Sequence, residues 1–173
     1  VVGSTAGNDF TPLFGVFVNT AGVPVTSPFQ INNAGLHAHF PRAVYSPHVS
    51  NGAGGSGGFL VTWHAGLYTN AVRARIVAYP NRVVSSEVEI PSQTFQEAGP
   101  AVAYSPSAQV FLVAWQASDF SVWGARMGTA GQLLGGPFPI SVFEPGGGAR
   151  DPSVAWNAST NEFGVLYTGW GGG

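Results

Sequence analysis

Short apolar runs alternate with turn-forming residues along almost the whole chain, and the unit of alternation is clearest in residues 100–141. Four runs stand out there: Ala-Val-Ala-Tyr at 101–104, Val-Phe-Leu-Val-Ala-Trp at 110–115, Val-Trp-Gly-Ala-Arg-Met at 122–127 and Phe-Pro-Ile-Ser-Val at 138–142. Each has strand length and is rich in β-branched and aromatic residues. Between them lie Ser-Pro-Ser-Ala, Ala-Ser-Asp-Phe-Ser and Gly-Thr-Ala-Gly-Gln, which are turn sequences. The pattern predicts four short antiparallel strands.

The rest of the chain reads as whole or partial copies of this unit. Pro-Arg-Ala-Val-Tyr-Ser-Pro at 41–47, Pro-Ala-Val-Ala-Tyr-Ser-Pro at 100–106 and Pro-Ser-Val-Ala-Trp-Asn-Ala at 152–158 are one opening strand three times. Second strands follow as Phe-Leu-Val-Thr-Trp at 59–63, Phe-Leu-Val-Ala-Trp at 111–115 and Phe-Gly-Val-Leu-Tyr at 163–167. Third strands are 123–131 and 14–22, both ending in Thr-Ala-Gly, with a looser match at 72–77 that sets Val72 on Trp123. Fourth strands are 28–32, 88–91 and 137–141. The opening prolines are 59 and 52 residues apart, and the longer interval holds a Gly-rich insertion at 51–58.

Four short strands in about 40–50 residues is the size of one β-propeller blade. The expected fold is therefore all-β, a propeller-type repeat of four-stranded antiparallel blades. The copies divide the chain into a back half-blade (1–39), two blades (40–99 and 100–148) and a front half-blade (149–173). That is about three blades, fewer than the roughly 4–8 that close a propeller. Closure then comes from further blades of a longer chain, or from a second copy joining front half to back half. A self-contained β-sandwich is the competing architecture.

The openings, the Phe-Leu-Val-x-Trp strands, the Trp-Gly-Ala-Arg strand at 123–126, the Thr-Ala-Gly turns and the Pro-Phe-x-Ile strands resemble the β-propeller repeats of large bacterial secreted or surface proteins. The likeness covers nearly the whole chain. It implies an extracellular or cell-surface location and a non-catalytic interaction or scaffold role, without a cofactor. Two departures stand out: 78–82 is Ala-Tyr-Pro-Asn-Arg where the other copies have Thr-Ala-Gly, and 163–164 is Phe-Gly where they have Phe-Leu.

Composition sharpens the picture. Charged residues are 8% of the chain, lysine is absent and the net charge is -2, against a usual charged share of about 25%. So uncharged a surface suits one covered by partner chains or further blades. No basic footprint exists for nucleic acid. Cysteine is absent, which excludes disulfides and thiolate metal sites. No run reaches the roughly 20 apolar residues of a membrane span, and any export signal would lie outside this sequence.

Chemically active residues are few. In a propeller the segments before each innermost strand meet at one mouth of the channel, which places His37, His39, Glu97, Arg150 and Asp151 together as a ligand-binding set. Turn capping is the plainer role for Glu97 and Asp151. His37 and His39 alternate on one strand face and would need His64, His48 or a carboxylate to complete a metal site. No metal motif supports that, and no metal is expected. Glu97 and Asp151 are the candidate acid and base for glycoside-hydrolase chemistry, which requires them about 5–10 Å apart. Among the aromatics, Trp63, Trp115 and Tyr167, and Tyr45, Tyr104 and Trp156, repeat in position as core residues do. Trp123, Trp170, Tyr68 and Tyr79 are less regular and are the candidates for stacking on a sugar ring, beside Asn70, Gln116 or Asp119. The sequon at Asn157 reads as turn chemistry.

Overall fold

The computed structural model describes residues 11–33, 37–52, 54–66, 71–80, 82–92, 99–141 and 147–171. Among them the fold is all-β, with thirteen strands and no helix, so none is long and apolar enough to cross a membrane. The strands are β1 (Phe14–Gly15), β2 (Phe29–Gln30), β3 (Ala38–Ser50), β4 (Ser56–Ala65), β5 (Ala71–Ala78), β6 (Arg82–Val83) and β7 (Val88–Ile90). There follow β8 (Ala101–Ser105), β9 (Val110–Gln116), β10 (Val122–Gly128), β11 (Phe138–Pro139), β12 (Gly148–Asn157) and β13 (Glu162–Trp170).

They form four antiparallel sheets in chain order. The first is β1–β2, the second β3–β4–β5 with β6 and β7 both on β5, the third β8–β9–β10–β11 and the fourth β12–β13. The pairing recurs residue by residue. Tyr45 faces Phe59, Tyr104 faces Phe111 and Trp156 faces Phe163, while Ala43, Val102 and Val154 face Val61, Val113 and Val165. Gly15 lies opposite Phe29 as Gly124 lies opposite Phe138. Both places are tight, because an added Cβ would come within 2.9 Å of the Ile31 side-chain tip at the first and 2.8 Å of that of Ile140 at the second, and those tips would have to shift.

The looser alignment of 72–77 is shifted by one residue. Phe59 pairs with Val77 and Phe111 with Met127, so Arg73, not Val72, takes the place of Trp123. A one-residue slip exchanges the faces of a strand. Arg75 accordingly reaches the first sheet, donating to the Ile31 carbonyl and to Asn33 Oδ1 (2.9 Å), whereas Arg126 is exposed.

Period-two alternation builds three cores between successive sheets. Leu13, Phe29 and Ile31 of the first sheet pack with Val61, Trp63 and Val77 of the second. Leu60, Ile76 and Ile90 of the second pack with Phe111, Val113, Trp115 and Met127 of the third. Ala114 and Val122 of the third meet Ala149, Val154 and Val165 of the fourth. Thus β9 gives its odd residues to the second sheet and Ala114 to the fourth. The opening strands run side by side, β3 against β8 and β8 against β12.

Local chemistry stops each strand. The Thr-Ala-Gly turns end with Gly22 and Gly131 at φ 80° and 85°. Each glycine N–H closes the turn at 2.9 Å, onto the carbonyl of Asn19 and of Gly128 respectively. Left-handed residues Gly57, Gln109 and Asn161 stand just before β4's apolar run, β9 and β13, a conformation L-residues adopt at a cost.

Candidate functional site

The β9–β10 connection carries the most developed polar geometry near an indole. Ala117 N donates to the Ser121 carbonyl (2.8 Å), pinching residues 117–121 into a tight loop. Inside it Asp119 Oδ1 accepts from Ser121 N (3.0 Å) and from Ser121 Oγ, an Asx-type turn. Ser121 Oγ in turn accepts from Trp123 Nε1 (2.7 Å). The chain Trp123–Ser121–Asp119 therefore fixes one indole and one carboxylate relative to each other. Across the ladder Trp123 pairs with Trp115.

Trp115, Trp123 and Asp119 line a cavity of about 380 Å³ together with Pro91 and Ser92 of the second sheet, Ala117 and Ser118 of the loop, and Pro137 before β11. Ser92 Oγ accepts from Val72 N (2.9 Å), which holds that wall in place. Trp115 is buried, and its Nε1 has no hydrogen-bond partner among the described residues. Flat apolar surfaces, two hydroxyls and one carboxylate suit a small polyhydroxylated or amphipathic ligand. Trp123 and Asp119 were expected at such a site; Trp115, which repeats in position as a core residue, and Ser92, Ser118 and the prolines were not. The signal was present in the sequence as Asp-Phe-Ser-Val-Trp, a turn capped by Asp two residues before Ser.

The other expected residues fall in two groups. His37 enters β3 and stacks on His39, with ring centroids 6.2 Å apart and 6° between planes. His39 pairs across the ladder with His64, at 6.5 Å between centroids. The three rings form a row, yet among the described residues no group of three His, Cys, Asp or Glu is arranged to hold a metal ion. His48 is elsewhere, sharing a 2.6 Å hydrogen bond with the Tyr104 hydroxyl.

On the fourth sheet Arg150 and Asp151 form an exposed ion pair at 3.4 Å, and the Arg150 guanidinium lies 5.5 Å from the Trp170 ring centre. Trp170 is further held edge-on by Phe120 at 5.7 Å. Asp151 and Phe40 occupy one bulge in two sheets. Both precede proline, both have φ near 50° (53° and 52°), and the strand register shifts at each. Tyr79 is half exposed and edge-on to Phe17 at 5.7 Å. Glu97, Tyr68 and Asn70 lie outside the described residues, and so does the separation of Glu97 from Asp151. Asn157 accepts from Ser159 N (3.0 Å), which is turn chemistry.

Comparison of the chain with protein-family models, with curated proteins and with solved structures finds no match.

Proposed function

We propose that the chain is an arc of a β-propeller-type repeat protein, with a half-blade at each end, acting as a non-catalytic interaction or scaffold module at the cell surface or outside the cell. The observation that carries this reading is the recurrence of one strand register in successive sheets whose opening strands lie side by side. Sheets stacked face to face with first strands innermost are the propeller plan. The fold presents its loops on a rigid frame, the usual arrangement for recognition. The location and the scaffold role rest on the resemblance of the repeats and on the low surface charge. An experimental structure of the chain tests the architecture: β3, β8 and β12 are expected around a common axis. A two-layer sandwich, with opening strands at opposite edges, overturns it.

A second reading, carbohydrate binding, is favoured by the cavity of Trp115, Trp123 and Asp119. Aromatic faces take the apolar side of a sugar ring while hydroxyls and a carboxylate take its polar edge. Titration with a panel of neutral oligosaccharides, followed by tryptophan fluorescence, should show a saturable change. Trp123→Ala is expected to weaken it at least about tenfold, the loss of about 1.4 kcal/mol. No change for any member of the panel overturns this second reading.

A further inference from the structure

We propose that two copies of this chain complete each other by strand pairing, β13 of one copy adding to β1 of the other, in a register that the two four-position sheets specify. The inference rests on the propeller-type reading and names its partner. In the second and third sheets the second and third strands pair as Phe59 to Val77 and Phe111 to Met127. Gly15 and Gly124 are equivalent, as are Val18 and Met127, which make matching bridges to Pro24 and Leu133. Carrying the register over places Phe163 of one copy opposite Val18 of the other, Val165 opposite Val16, and Tyr167 opposite Phe14. Each composite sheet then has four strands in the order found in the third sheet.

The surfaces this pairing would cover are the ones left open. Among the described residues the first sheet has only third- and fourth-position strands, so the inner half of the second sheet has no described neighbour. A cavity of about 360 Å³ lies there, lined in part by Leu13, Ala43, Phe59 and Val61. Tyr45 shows the consequence: it is 53% exposed, while its equivalent Tyr104 is 6% exposed beneath its sheet neighbours. Among the described residues the fourth sheet has only first- and second-position strands, so the outer half of the third has no described neighbour in the same way. A groove of about 460 Å³ lies there between Leu112, Arg126, Phe138 and Ile140 on one side and Phe163 and Val165 on the other.

Each open slot has its knob at the opposite end of the chain. Leu166, 75% exposed, is the equivalent of Ala114, which packs on Val165 of the next sheet; on a second copy it would meet Val61. Phe14, Val16 and Val18 are all exposed on β1 and its continuation. Their third-sheet equivalents are Trp123, Ala125 and Met127, which pack on the second sheet; on a second copy they would fill the groove beside Leu112 and Ile140. A second copy satisfies both half-sheets at once, because the described residues include one of each kind and a two-fold axis makes the contacts reciprocal. The paired strands also remove two free sheet edges.

The chain has no cysteine, so single cysteines report the register directly. Val16→Cys and Val165→Cys proteins, mixed, refolded together and mildly oxidised, are expected to form a disulfide-linked pair, and the native particle to have about twice the 17.9 kDa chain mass. Val16→Cys mixed with Leu166→Cys, displaced by one residue onto the opposite face, is expected to link at least about tenfold less. Leu166→Asp should keep its circular dichroism and weaken pairing at least about tenfold. A monomeric particle, or a pair in which positions 16 and 165 do not link, overturns the inference. If the experimental structure still shows radially stacked sheets, that failure leaves the propeller-type reading standing and assigns closure to further blades of a longer chain. A sandwich overturns both.

Discussion

Arg73 holds the carboxylate that ties the second sheet to the first. Its guanidinium meets Glu87 and Glu89, and Glu87, whose side chain is 1% exposed, also accepts from Asn33 N at 2.7 Å. Removing the cation leaves a buried carboxylate with one neutral donor. Arg73→Ala is expected to lose about 3–5 kcal/mol, read from the urea midpoint, because an uncompensated buried charge costs that much. Glu89 is 56% exposed, and Glu89→Ala should cost no more than about 1 kcal/mol. Equal losses for the two would refute the buried-charge account. Nothing in the spacing of Arg73, Glu87 and Glu89 foretells this, since Glu87 also meets Asn33, 54 residues away in the chain. Alternation on one strand did make the His37–His39 face legible. The approach of His64 was not, because it depends on the β3–β4 register.

At the scale of the strand, one device is repeated with different chemistry. A backbone N–H at the start of the third strand is capped by a side chain just past the fourth: Leu13 by Asn32 (2.8 Å), Val72 by Ser92 (2.9 Å) and Val122 by Ser141 (2.7 Å). At Val122 both partners are buried, so Ser141→Ala orphans a buried donor and should cost about 1–3 kcal/mol. Ser141→Asn, which imports the cap of the first sheet, is expected to recover at least half of that in the same melt. If Asn is no better than Ala, the hydroxyl is not acting as a cap. The short apolar runs between turn residues made the strands and their order readable, the central ones such as β9 being buried on both faces. The register of β5 was not readable, because β5 lacks the Gly that marks third strands at Gly15 and Gly124, and matching Arg75 to Arg126 favours the alignment that is one residue out. The cavity at Trp115 was half readable. Sequence distinguishes a turn-linked Trp123 from a core Trp115 only by regularity, and the ladder makes them neighbours.

For the molecule as a whole, the open ends and the sparse charge have one physical consequence. Phe14, Val16, Val18, Leu166 and Tyr167 are exposed on the two terminal half-sheets, and Tyr45 on the second sheet; with 8% charged residues there is little repulsion to keep such ends apart. Stability that comes from joining the ends must then depend on concentration, because association is linked to folding by mass action. Raising the protein concentration about a hundredfold should stabilise a two-copy ring by about 2.7 kcal/mol, moving Tm up by a few degrees for a domain of this size. Leu166→Asp places a charge at the centre of the contact, and its Tm is expected to be lower and nearly flat over the same range. The paired measurement separates two sources of instability. A variant that merely weakens the fold lowers Tm at every concentration and keeps the slope, whereas one that opens the ring removes the slope. A wild-type Tm that does not move with concentration would mean that the arc is stable by itself or closed from within its own chain.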